Sequence, residues 1–253
     1  MDDEELRRLE QEEFFVGYFP MSGPQKRFAW GAVAVAVILV LGAGAAAAWF
    51  QRSPGEDLEP YRTSVELDGL LVAAPYPMLR TREPGGEARH VLLVTGSKFV
   101  WHPPAERLGH GVRLRGNLIE RGGSRMLEVF GHDAADVEGL DALAAVTAEP
   151  VGEVTLVGEI VDSKCYLGRM RPGGGRTHRA CAQLCVSGGI PPVLVTRGPA
   201  GETHYLLASE AGGSVADDVL PFVAEPVRVR GSLERLGSDL RILRIDPTDI
   251  ERL

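Results

Sequence analysis

Two stretches of this chain repeat each other, and that repeat limits the possible folds more than any other feature. Val65-Glu-Leu-Asp-Gly69 returns as Val154-Thr-Leu-Val-Gly158, and His90-Val-Leu-Leu93 returns as His204-Tyr-Leu-Leu207. Val112-Arg-Leu-Arg-Gly-Asn-Leu118 returns as Val227-Arg-Val-Arg-Gly-Ser-Leu233. After a turn rich in Gly and Ser, Leu127-Glu-Val129 matches Leu243-Arg-Ile245, and both copies close on an Asp-bearing segment, 133–137 and 246–250. Blocks matched in one order define two copies, 61–145 and 150–253, joined by a short linker containing Ala and Pro.

Each copy divides into short alternating segments of strand type. Val227 and Val229 point to one face while Arg228 and Arg230 point to the other, the two-residue period of a half-buried strand. The matched Gly116 and Gly231 predict a bulge or a tight bend where a strand coils around a small barrel. In the second copy, Val215 to Ala224 reads as a helix ahead of the fourth strand. Five strands with a helix in that place resemble the OB-fold, which implies a Greek-key barrel with a binding face but names no ligand. A small β-sandwich is the alternative.

Ahead of the repeats, Phe28 to Phe50 carries no charge and is rich in Ala, Val, Leu and Gly. It exceeds the roughly 20 residues needed to cross hydrocarbon, and Trp30, Trp49 and Phe50 sit at its ends, where amphipathic rings favour the interface. The expected organisation is an amino-terminal segment at 1–27, one transmembrane helix at 28–50 and a linker at 51–60. A cleaved signal peptide is the competing reading, with Lys26 and Arg27 before the run and Ala45 to Ala48 as small residues. Basic residues Arg7, Arg8, Lys26 and Arg27 outnumber Arg52 and Arg62 on the far side. That bias places the chain in the inner membrane, amino terminus in the cytoplasm and repeats in the periplasm. Asp2 to Phe15 reads either as a short surface helix or as a polar tail. Phe14, Phe15, Val16, Tyr18 and Phe19 offer a contact for another membrane subunit. A net charge of −8 argues against nucleic acid as a partner, because phosphates call for a basic face.

The copies differ at one place. The stretch between the first matched Gly and the His-x-Leu-Leu block runs from 69 to 90 in one copy and from 158 to 204 in the other, about 25 residues longer. This insertion, residues 162–192, carries all three cysteines, Cys165, Cys181 and Cys185. Thr177 as cap, then Ala180 to Leu184, with Gly188 and Pro191 as stops, predict a short helix. On it His178, Cys181 and Cys185 share one face, and Cys165 and Met170 precede it.

Three chemistries suit these residues. A disulfide from Cys165 to Cys181 or Cys185 would staple a Gly-rich insertion in an oxidising compartment. Cys165, Cys181, Cys185, His178 and Met170 would bind a soft metal, copper or zinc. A thiol redox site would need a thiolate favoured by Lys164, Arg179 or the helix start. Lys164, Arg169, Arg171, Arg176 and Arg179 also make the insertion locally basic, a contact for an anion or an acidic partner, or a solvated loop. His90, His102, His110, His132 and His204 show no metal-type spacing, and His90 and His204 read as structural. No GxSxG, P-loop, HExxH or CxxCH motif is present, so no catalytic residue is expected.

The strings D-S-K-C-Y-L-G-x-M-x-P-G, H-R-A-C-A-x-L-C and G-G-I-P-P, within residues 158–195, resemble a motif of uncharacterised bacterial membrane-anchored proteins. That resemblance supplies no activity; the role expected of the architecture is that of an anchored accessory or assembly protein, a subunit or helper of a membrane redox complex. A metal-binding protein and a thiol oxidoreductase are the alternatives.

Overall fold

A computed structural model of the chain describes residues 3–11, 21, 23–50, 61–83, 85–131, 134–199 and 201–253. Residues 1–56 and 57–253 form two compact units. The first holds α1 (Asp3–Gln11), so the helical reading of the amino terminus is the one realised, and α2 (Gly23–Phe50). The most apolar 18-residue window of α2 has a mean hydropathy of 2.4, and the helix is long and apolar enough to cross a membrane. A signal sequence would satisfy the same test. The helix starts at Gly23 rather than Phe28. Pro24 opens its first turn, where a missing N–H costs nothing. The aromatic run from Phe14 to Phe19, the linker 51–60, His132 and Asp133 lie outside the described residues.

The second unit is mainly strand. The first copy forms β1 (Arg62–Val72), β2 (Met78–Arg82), β3 (Ala88–Val94), β4 (Gly111–Arg121), β5 (Ser124–Val129) and β6 (Ala135–Asp136). The second forms β7 (Ala148–Asp162), α3 (Arg179–Ser187), β8 (Pro192–Gly198), β9 (Gly201–Ser209), α4 (Ala216–Val219), β10 (Pro226–Leu236), β11 (Leu240–Ile245) and β12 (Ile250–Arg252). Pairing runs β1-β2-β3-β5-β4, and β1 also pairs with β4, which closes a ring. The second copy repeats this as β7-β8-β9-β11-β10, with β10 paired to both β7 and β11. Within each ring only β3 with β5, and β9 with β11, run parallel. These are two small barrels of OB-fold connectivity, and the sandwich alternative is set aside.

The repeat extends to register. Gly69 pairs with Val112 as Gly158 pairs with Val227, and Leu93 meets Leu127 as Leu207 meets Leu243. The ladder with β1 shifts register between Arg62 and Val65, the latter the partner of Gly116, and the ladder with β7 shifts between Leu233 and Glu234, two residues beyond Gly231, so an irregularity lies beside each matched glycine. A Cβ there would lie 2.2 Å from the carbonyl oxygen of Glu128 or of Arg244, so close backbone approach dictates glycine at both. The helix expected over 215–224 is realised as α4 followed by a 3-10 turn, Leu220–Phe222.

Three apolar cores result. Leu71, Leu79, Leu93, Trp101, Leu114 and Leu127 fill the first barrel, and Ile160, Leu194, Leu207, Val227 and Leu243 fill the second. The third lies between the barrels, where Met78, Leu92, Ile119 and Met126 meet Val161, Leu206 and Ile242. It explains why Val91 to Val94 are buried on both faces of β3. Leu93 turns into its own barrel, whereas Leu92 turns to the neighbour. The matched histidines bridge the same seam. His90 donates its backbone N–H to Asp239 Oδ2 at 2.7 Å and sets Nδ1 2.9 Å from Asp239 Oδ1, in the β10–β11 turn. His204 Nδ1 lies 3.1 Å from Ser124 Oγ, beside the β4–β5 turn. OB barrels commonly use this face and this turn for binding. Here each barrel covers the other's.

Candidate functional site

The insertion occupies the connection between the first two strands of the second barrel and packs into the seam. Asp162 ends β7 and accepts the N–H of Cys165 at 2.8 Å, which starts a single wide helical turn, Cys165–Arg169. Tyr166 and Leu167 of that turn are buried in the inter-barrel core with Cys165, Cys185 and Ile190. A 3-10 turn, Arg176–His178, then leads into α3. Thr177 makes no capping bond, and the helix begins two residues beyond it. Gly188 closes α3 as expected, its N–H donating to the carbonyls of Leu184 and Cys185. A Cβ on Gly188 would lie 2.0 Å from the Lys98 carbonyl, so glycine lets the helix end meet the first barrel's 95–100 loop. Gly188 accepts the Val100 N–H at 2.9 Å there. Ala182 and Val186 of α3 face the second barrel's core, and Cys185 faces the seam.

All three cysteines are free, so the pairing of Cys165 with Cys181 or Cys185 is not formed. They converge all the same. One ligand atom each from Cys165, His178 and Cys181 lies within 4.8 Å of the others, and the same holds for Asp162, Cys165 and Cys185. Cys165 belongs to both groups and links them. His178 Nε2 sits 3.0 Å from Asp162 Oδ2, the carboxylate contact that fixes an imidazole's orientation at metal sites. Cys165, Cys185 and His178 are buried, Cys181 is half-buried, and Met170 is 48% exposed with its Sδ 4.0 Å from Cys181 Sγ. The cluster is therefore closed on the barrel side and reached through Cys181 and Met170.

The first barrel completes the site. Lys98 Nζ lies 2.8 Å from Cys181 Sγ and 3.7 Å from Cys185 Sγ, and the bond to Cys181 raises its pKa. The contact between Cys165 and Cys185 splits that pair. It pushes the Cys165 thiol up, with burial adding to the effect, and it holds the Cys185 thiol down against burial. Cys185 is thus the thiol of the pair that ionises first.

The basic residues of the insertion divide. Lys164 is buried, donates to the carbonyls of Thr95 and Ser97 at 2.7 and 2.6 Å, and pairs with Glu128 at 2.9 Å, so it cannot meet an external anion. Arg169 pairs with Glu128, also at 2.9 Å, and Arg179 pairs with Glu225. Arg171 and Arg176 are exposed, with no ion pair among the described residues. Glu128 is pulled below the usual carboxylate range. Burial opposes this, but hydrogen bonds from Lys164 and Tyr61 outweigh it. Tyr61, the first described residue after the linker, donates to Glu128 at 2.8 Å.

His90, His204 and Ser163 line a separate cavity of about 30 Å³ between the barrels. The Nε2 of both histidines and Ser163 Oγ have no hydrogen-bond partner among the described residues. The cavity is large enough for ordered water. Burial holds the His204 pKa below its ordinary value.

Sequence reasoning found the thiols, His178 and Met170 but missed Lys98, Glu128 and Asp162 as parts of the site. Asp162 had a signal in its position three residues before Cys165, the spacing of a side chain that caps a turn. Lys98 and Glu128 had none, because they belong to the other copy. No family model matches the chain, and no curated protein matches it in sequence.

Proposed function

We propose that this is a membrane-anchored protein whose external barrels hold one soft cation, Cu(I) or Zn(II), for a membrane-bound partner. The observation that carries this reading is the convergence of three free thiols, an imidazole and a carboxylate in two triads that share Cys165. Thiolates and imidazole are the ligands both ions prefer, and three sulfurs with one nitrogen make a four-coordinate set. Tetrahedral coordination at Zn–S of about 2.3 Å needs sulfurs about 3.8 Å apart, so the two triads, which share Cys165, must draw together on loading. Asp162 orients His178 from outside the set, and Met170 stands at the entrance as a thioether ligand for Cu(I).

The apolar helix α2 and the excess of basic residues before it support an anchor in the inner membrane with the barrels in the periplasm. That placement, and the absence of a catalytic motif, suit an accessory or assembly role beside a membrane redox complex. The test is metal and thiol analysis of the full chain purified anaerobically in detergent. About one Cu(I) or Zn(II) per chain is expected, lost in C165S and C181S. No metal with a single free thiol after denaturation means a disulfide staple and ends the proposal.

A further inference from the structure

We propose that Lys98, from the first barrel, sets the ion preference of the thiol cluster and favours Cu(I) over Zn(II); this rests on the soft-cation reading above. Lys98 Nζ lies within 4 Å of two of the three sulfurs and is not itself a ligand, because an ammonium has no lone pair. Its loop is held in place independently of the thiols. Lys164 binds the carbonyls of Thr95 and Ser97, and Val100 donates to Gly188. The ammonium is thus a fixed positive charge at the mouth of the cluster. Lys164, the other cation nearby, is turned away and paired with Glu128.

A fixed charge distinguishes the two ions. Three thiolates around Cu(I) carry two surplus negative charges, and around Zn(II) they carry one. An ammonium a few ångströms away attracts the first complex about twice as strongly as the second, in a half-buried setting where such terms are not screened to bulk-water values. Asp162 lies in the same cluster, one carboxylate oxygen within 4.8 Å of the Cys165 and Cys185 sulfurs. Lys98 is therefore a specificity-determining residue, and the cluster is a site of both barrels.

The experiment is competition for each ion on the full detergent-solubilised chain, with a Cu(I) chelator and a Zn(II) chelator as separate probes. Lys98→Met keeps the length and apolar stem of a side chain on a surface loop, and Lys98→Arg keeps the charge. In K98M the ratio of Cu(I) to Zn(II) affinity is expected to fall about tenfold, equivalent to about 1.4 kcal/mol, while K98R stays near the unaltered protein. An unchanged ratio in K98M, with both ions still bound, overturns the role of Lys98 alone. Binding of neither ion by the unaltered chain removes the soft-cation reading and this inference with it. An unchanged circular dichroism melting curve separates charge from misfolding.

Discussion

The two barrels share strand order, parallel pair, register and paired glycines, yet only the second carries the cysteines. In the first, β1 turns to β2 through residues 73–77; in the second, the same connection carries the thiols. A barrel that closes without those residues does not need them to close, so the insertion serves something else. The comparison also shows where the difference is shared. Glu128 and Arg244 occupy equivalent places on β5 and β11 with opposite charge, and Glu128 receives the insertion's Lys164 and Arg169, whereas Arg244 pairs with Glu234 of its own barrel. The first barrel is more than a support: it holds the insertion at Glu128 and closes the site with Lys98.

Replacing residues 163–190 by the first barrel's connection, 73–77, tests this most severely. The seam would lose Tyr166, Leu167, Ile190 and all three cysteines, on the order of 5 kcal/mol or more of apolar burial. Hydrogen exchange is expected to show protection kept in the β1–β5 ring and reduced, not abolished, in the β7–β11 ring, with the barrels no longer docked. Loss of protection throughout would mean that the insertion is part of the barrel after all.

Glu128→Gln comes next. It leaves Lys164 buried without its carboxylate, and breaking a buried pair from one side costs about 3–5 kcal/mol. Urea unfolding measures the loss, and adding Lys164→Met should recover much of it. A loss near zero would show that Glu128 does not hold the insertion.

The smallest effect lies at His204. Its folded-state pKa is depressed by burial, so its contribution is fully present above about pH 6.5 and is lost as pH falls through the lower folded value. Stability followed from pH 7.5 downward should decline below that point, and H204Q should flatten the decline. His204 then marks the seam as the acid-sensitive part of the molecule.

The barrels were legible in the sequence because the matched blocks ahead of the closing segments are strands, and alternation with paired glycines survives in the letters. The thiol cluster was legible for a similar reason, since Cys181 and Cys185 lie on α3 and His178 ends the 3-10 turn that leads into it. What was hidden is non-local. Lys98 meets Cys181 across 83 positions, and Arg121 of β4 reaches the Tyr166 carbonyl at 2.8 Å across 45. The burial of both faces of β3 and β9 follows from the docked neighbour, which an alternating pattern does not report. The pairing of the insertion's basic residues was hidden for the same cause, because the acids that meet Lys164, Arg169 and Arg179 lie far away in the chain.

The measurement closest to the central claim is X-ray absorption at the metal edge of the loaded full chain. Three sulfur neighbours and one imidazole nitrogen per ion, with sulfurs at about 2.3 Å for Zn(II), are the predicted result. An all-oxygen and nitrogen shell, or an ion retained by the C165S/C181S/C185S variant, would place the cation elsewhere and contradict it.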